Sequence, residues 1–177
     1  MIQITLFGDS VFAGHGLPPN CGPTALLARA APHARVVNAG IAGQTAIDGL
    51  ARVEMIMADV VLVGFGLNDA IQGISAEHTE EVLTTIVGRL QARGAEVMVV
   101  EAIVPEGSAW PARVAHTGLT GRVASRTEAG FCPDILASAS PHFQEDGLHP
   151  AEEGARRIAA ALATQLDHRL WKVRSGQ

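Results

Sequence analysis

Ser10 follows Gly8 and Asp9 where an apolar run, Ile2-Gln3-Ile4-Thr5-Leu6-Phe7, gives way to small residues. A serine hydroxyl is a competent nucleophile when a base takes its proton, a third group orients the base, and donors meet the oxyanion that forms. The chain offers each of these. His149 is the candidate base. Asp146 lies three residues earlier in a turn and can reach the other ring nitrogen, fixing the tautomer and stabilising the imidazolium. The backbone N–H groups of Ser10 and Gly43 and the side-chain amide of Asn68 are candidate oxyanion donors. Each such donor is commonly worth about 3 kcal/mol of transition-state stabilisation. Alone, each residue has a plainer reading. Ser10 is then a turn or cap residue, Asp146 and His149 a polar turn before the last helix, and Asn68 a left-handed turn residue.

What joins them is the set of elements they terminate. Ile2 to Phe7 reads as a first strand and Ala34 to Ala39 as a second. Asp59 to Phe65, almost continuously apolar, suits a parallel strand buried on both faces. Ala95 to Ala102 reads as a fourth strand, and Asp134-Ile135-Leu136 as a short fifth. Helices are expected over Thr24 to Ala30, along the stripe Ile47, Leu50, Val53 and Met57, and from Ser75 to Arg93, where Gly94 stops the helix. A weaker one carries Val114, Leu119 and Val123. A last helix follows Pro150, placed at its first turn, with Ile158, Leu162, Leu166 and Leu170 as its buried stripe. Strands alternating with helices imply an α/β fold: one domain over residues 1–177, a parallel sheet of about five strands, and a loose tail over 171–177. Gly8-Asp9-Ser10, Gly43 and Gly66-Leu67-Asn68-Asp69 then fall after strands one, two and three, at the edge where open α/β sheets bind ligands.

Composition narrows the classes. Of 177 residues, 47% are hydrophobic and 18% charged, and the formal charge is −5. That is a globular balance, and no basic face or stripe for nucleic acid is evident. No apolar run is long enough to span a bilayer, and no basic segment with an apolar stretch opens the chain. It therefore reads as cytoplasmic, with no membrane partner. Cys21 and Cys132 form no disulfide framework and read as buried thiols. His15, His33, His78, His116, His142 and His168 show no metal-ligand spacing and read mostly as surface residues, so no metal is expected. Gly64-Phe65-Gly66-Leu67-Asn68-Asp69 is a near-miss of a dinucleotide fingerprint. Asp69 replaces its third glycine, and it follows the third strand instead of the first.

The chain resembles the SGNH (GDSL-type) hydrolases. The likeness rests on Gly8-Asp9-Ser10, the block Asn38-Ala39-Gly40-Ile41-Ala42-Gly43, Gly66 to Asp69, and Asp146 to His149, in the family's order across nearly the whole chain. Within the family the likeness is to small bacterial esterases, thioesterases and lysophospholipases. The resemblance implies a flavodoxin-like three-layer α/β/α fold and hydrolysis through an acyl-enzyme, with no metal or other cofactor. It implies Ser10 as nucleophile, Asp146 and His149 as its partners, and Gly43 and Asn68 as oxyanion donors. Gly40 is the alternative to Gly43 if the loop is shifted. Asp9 and Asp69 are expected to order loops.

The expected partner is a small-molecule acyl ester or thioester. Phe12, His15, Leu67, Ile71, Trp110 and Phe143 are candidate wall residues. The stretch between the fourth strand and Asp146 is poor in large apolar side chains, and the chain has no tyrosine. Both features lean toward short acyl groups. Acyl transfer to an alcohol or sugar would use the same residues, and a binding domain on the same fold would use none of them.

Overall fold

The computed structural model describes residues 1–101 and 115–175. Strands β1 (Ile2–Gly8), β2 (Ala34–Gly40), β3 (Val60–Gly64), β4 (Glu96–Val100) and β5 (Gly130–Cys132) form one parallel sheet in the order β2-β1-β3-β4-β5. From β1 the chain crosses first to one side and then to the other. This puts the topological switch point at the C-terminal ends of β1 and β3, the position where doubly wound sheets bind ligands.

Alternation along the strands sets the layers. Ile4, Leu6, Val60, Leu62, Met98 and Val100 point to one face, under Leu27 of α2 (Pro23–Ala30) and Ile158, Leu162 and Leu166 of the final helix. Phe7, Val61, Val63, Val97 and Val99 point to the other. That face is covered by α3 (Ala46–Arg52), α5 (Ala76–Ala92) and α6 (Leu119–Thr127), through Ala46, Leu83, Ile86, Val87, Leu90 and Val123. The short helices α1 (Ser10–Ala13) and α4 (Leu67–Ile71) lie at the sheet edge, and α7 (Glu152–Ser175) closes the chain. Truncating a buried leucine such as Leu83 or Leu162 to alanine is expected to destabilise by about 2–5 kcal/mol. Among the described residues, no helix is long and apolar enough to cross a membrane.

Several expectations are corrected here. The fifth strand is Gly130–Cys132, not Asp134 to Leu136. Pro133 and the left-handed Asp134 (φ 54°) turn the chain, and Ile135 and Leu136 reach the core from that turn. Pro150 lies before α7, paired with Phe143 in an isolated bridge. Residues 171–175 continue α7, because no glycine or proline interrupts the chain before Gly176. The third helix tightens into a 3₁₀ turn at Val53–Met55, so Val53 is buried while Ile47 and Met57 face solvent. His116 is buried and Cys21 only half-buried, whereas burial pushes the Cys132 thiol up to about 12.

Candidate active site

Three glycines stand side by side at the sheet edge, Gly40 paired with Gly8 and Gly8 with Gly64. A Cβ on Gly64 or Gly8 would come within 2.8 Å of the Phe12 ring, and one on Gly40 within 2.8 Å of the Asp9 carbonyl oxygen. The bare backbone lets α1 lie flat across three strand ends with Phe12 pressed face-down. Phe12, expected as a pocket wall, is therefore a core residue at 2% exposure, and Leu67 is also core at 4%. Asp9 caps α1 by accepting the Val11 N–H at 3.0 Å, which fixes the turn that carries Ser10.

Ser10 Oγ lies 3.0 Å from His149 Nε2, and His149 Nδ1 lies 2.6 Å from Asp146 Oδ2. The other Asp146 oxygen accepts the backbone N–H groups of Leu148 and His149, each at 2.9 Å. Partial burial pushes the Asp146 carboxyl upward, but the His149 ring and these two N–H donors outweigh it and hold the group down at about 2. The carboxylate is thus charged wherever an imidazolium needs a partner. The turn is anchored by Gln144. Its N–H donates to the His149 carbonyl, and its side-chain amide donates to the carbonyls of Pro150 and His15. The His15 ring packs against His149, with centroids 4.6 Å apart and planes tilted by 49°. Phe143 is half-buried against the core, and Trp110 lies outside the described residues.

In the loop after β2, Gly43 sits in an open turn at φ +80°, a conformation that side chains rarely adopt. Its N–H and that of Ser10 have no acceptor among the described residues. Gly40 is instead fixed within β2, its N–H bonded to Asn38 Oδ1. The Asn68 amide donates to the Gln44 carbonyl at 2.9 Å and, more weakly, to Asp9 Oδ2 at 3.4 Å. Asp69 accepts the Ala46 N–H on both oxygens, and Asp48 accepts the N–H and hydroxyl of Thr45. These bonds fix the start of α3 directly after the Gly43 turn. Asp9 and Asp69 are both buried, and desolvation raises both carboxyls, Asp9 to about 7. Neither is hydrogen-bonded to the Ser10 hydroxyl or the His149 ring. Their bonds join the Ser10 turn and the start of α3 to neighbouring segments.

Sequence reasoning missed Arg52 and Gln144. Arg52 donates to Gln44 Oε1 at 2.7 Å, to the Ala39 carbonyl at 2.9 Å and to the Gly8 carbonyl at 3.1 Å. No motif marks either residue. The available signal for Arg52 was a cation placed beside Leu50 and Val53 in the helix stripe.

A hydroxyl, an imidazole and a carboxylate in one hydrogen-bonded line, near N–H groups that lack acceptors among the described residues, are parts that acyl transfer could use. Residues 6–157 match the model of the GDSL-like lipase/acylhydrolase family. The chain belongs to that family. It is accordingly a carboxylic ester hydrolase on the SGNH-hydrolase fold. Esterase TesA of Pseudomonas aeruginosa is 29% identical over 166 residues, covering 88% of this chain and 83% of the relative. Thioesterase 1/protease 1/lysophospholipase L1 of Escherichia coli K12 is 28% identical over 171 residues, covering 92% and 82%. The crystal structure of a TesA superposes with a TM-score of 0.87 at 26% identity, covering 94% of this chain and 98% of that one.

Proposed function

We propose that this hydrolase cleaves small or medium acyl esters or thioesters through an acyl-enzyme on Ser10. The observation that carries the reading is the line Ser10 Oγ–His149 Nε2–Asp146 Oδ2, with separations of 3.0 and 2.6 Å. Ser10 Oγ attacks the acyl carbon as His149 Nε2 takes its proton, and Asp146 balances the imidazolium charge. The oxyanion is met by the N–H groups of Ser10 and Gly43 and by Asn68 Nδ2. The amide gives up its longer bond, the 3.4 Å one to Asp9, for this purpose. Collapse of the tetrahedral intermediate breaks the bond to the leaving oxygen or sulfur, which takes the proton from His149. Water then repeats the sequence on the acyl-serine and releases the acid.

The short-chain leaning has a structural support. Phe12 and Leu67, the apolar residues next to the motifs, are spent on the core, leaving part-exposed Ile41 and Ile71 near the loops that carry Gly43 and Asn68. Ser10→Ala is expected to abolish turnover of p-nitrophenyl butyrate with its melting curve retained. Undiminished turnover overturns the nucleophile. Across a series of p-nitrophenyl esters, kcat/KM should peak at or below medium chain length, and a maximum at palmitate overturns the size reading.

A further inference from the structure

We propose that Arg52 is a positioning residue that sets the spacing between the Ser10 turn and the oxyanion donors. The proposal rests on the serine-hydrolase reading above. Its guanidinium is a planar fork of N–H donors, and the three acceptors it meets come from three different segments of the site. Gly8 O, at 3.1 Å, is the last carbonyl of β1, two residues before Ser10. Ala39 O, at 2.9 Å, lies at the end of β2, where the chain leaves for the Gly43 turn. Gln44 Oε1, at 2.7 Å, belongs to the residue immediately after Gly43. The same Gln44 holds the Asn68 amide through its backbone carbonyl at 2.9 Å. One rigid plane thus connects the turn bearing the nucleophile, the loop bearing Gly43 and the side chain of Asn68.

The plane itself is held from behind. Arg52 Cζ lies 4.5 Å from the centroid of Phe7 and 5.9 Å from that of Phe65, and the two rings meet edge-to-face at 5.1 Å. A cation over an aromatic face is attracted to it, and the stacked plane has little freedom to rotate. A role confined to strand cohesion explains less. β1 and β2 are already paired along their whole length, from Ile2↔Ala34 to Gly8↔Gly40. What the guanidinium adds is the tie to Gln44. Lysine keeps the charge but cannot satisfy three separated acceptors in one plane.

The test compares kcat and KM on p-nitrophenyl butyrate for wild type, Arg52→Lys, Gln44→Ala, Asn68→Ala and the two double variants with Asn68→Ala. Melting curves confirm that each is folded at the assay temperature. Arg52→Lys is expected to lose about 10- to 100-fold in kcat with KM little changed, the scale of a small misplacement of reacting groups. In the Asn68→Ala background the same change should cost several-fold less, because one of the donors being aimed is gone. Gln44→Ala should show a smaller loss with the same non-additivity. A kcat for Arg52→Lys close to wild type overturns the proposal. So does an equal fold-loss in both backgrounds, which is the mark of general loosening. If Arg52→Lys does not fold, the Gln44→Ala pair decides by the same two criteria. Ser10→Ala, run alongside, reports separately on the hydrolase reading: turnover surviving there refutes that reading whatever the Arg52 variants do.

Discussion

Asp9 and Asp146, both belonging to the Ser10 site, lie in opposite surroundings. Asp9 is 1% exposed at the sheet edge, and desolvation lifts its carboxyl to about 7. The Asp146 side chain is 46% exposed, yet three N–H donors hold it at about 2. Each belongs to a different half of the site. The inner half, with Gly43, Asn68 and Arg52, is fixed to the ends of β1, β2 and β3. The outer half, Asp146 to His149, hangs on a turn closed by its own backbone bonds and by Gln144. The carboxylate proposed to balance the imidazolium is kept near water and donors. The carboxyl that caps α1 and accepts from Asn68 is buried, where charge is costly.

Breaking the outer half should have the largest effect. His149→Ala removes the group facing the Ser10 hydroxyl, and kcat on p-nitrophenyl butyrate is expected to fall by about 10⁴-fold or more with the melting temperature little changed. Asp146→Asn comes next, at about 10³-fold in kcat. The amide donates to Nδ1 and leaves the proton on Nε2, where it cannot accept from serine. Asn68→Ala probes the inner half and should cost about 10²-fold in kcat with KM nearly unchanged. If steady-state kinetics placed Asn68→Ala below Asp146→Asn, the aiming half would outweigh the proton-carrying half and the comparison would reverse.

The two halves also differed in how far they could be read from sequence. Asp146 and His149 are three residues apart, so their meeting follows from a local turn. β1, β3 and α5 are legible because apolar runs or helical stripes end at glycine. The fifth strand was misplaced because Ile135 and Leu136 are more apolar than Gly130–Cys132, yet they reach the core from a turn. Phe12 was misread because a helix of four residues has no periodicity to show which way it faces. The supports are long-range contacts: Arg52 bonds Gly8 across 44 residues and Gln144 bonds His15 across 129, spacings that no local pattern encodes.

The smallest effect separates the two aspartates most cleanly, through the pH dependence of stability. In the unfolded chain both carboxyls titrate near 3.8. Folding raises Asp9 to about 7, so the folded protein holds a proton that the unfolded chain has released. The contribution of Asp9 is then fully present below about pH 4 and is lost as the pH climbs through about 7. Folding lowers Asp146 to about 2, so its contribution is present above about pH 4 and is lost as the pH falls toward 2. Asn at position 9 keeps an oxygen for the Val11 N–H and has no charge to bury. Relative to wild type, the melting temperature of Asp9→Asn should therefore rise by on the order of 10 °C between pH 4 and pH 8. Asp146→Asn should melt below wild type near pH 6, with the gap closing as the pH drops from 4 to 2. Calorimetric scans across that range follow both. Parallel curves for Asp9→Asn and wild type would mean that Asp9 ionises as freely inside the fold as outside it. Burial would then not be what distinguishes the inner half from the outer.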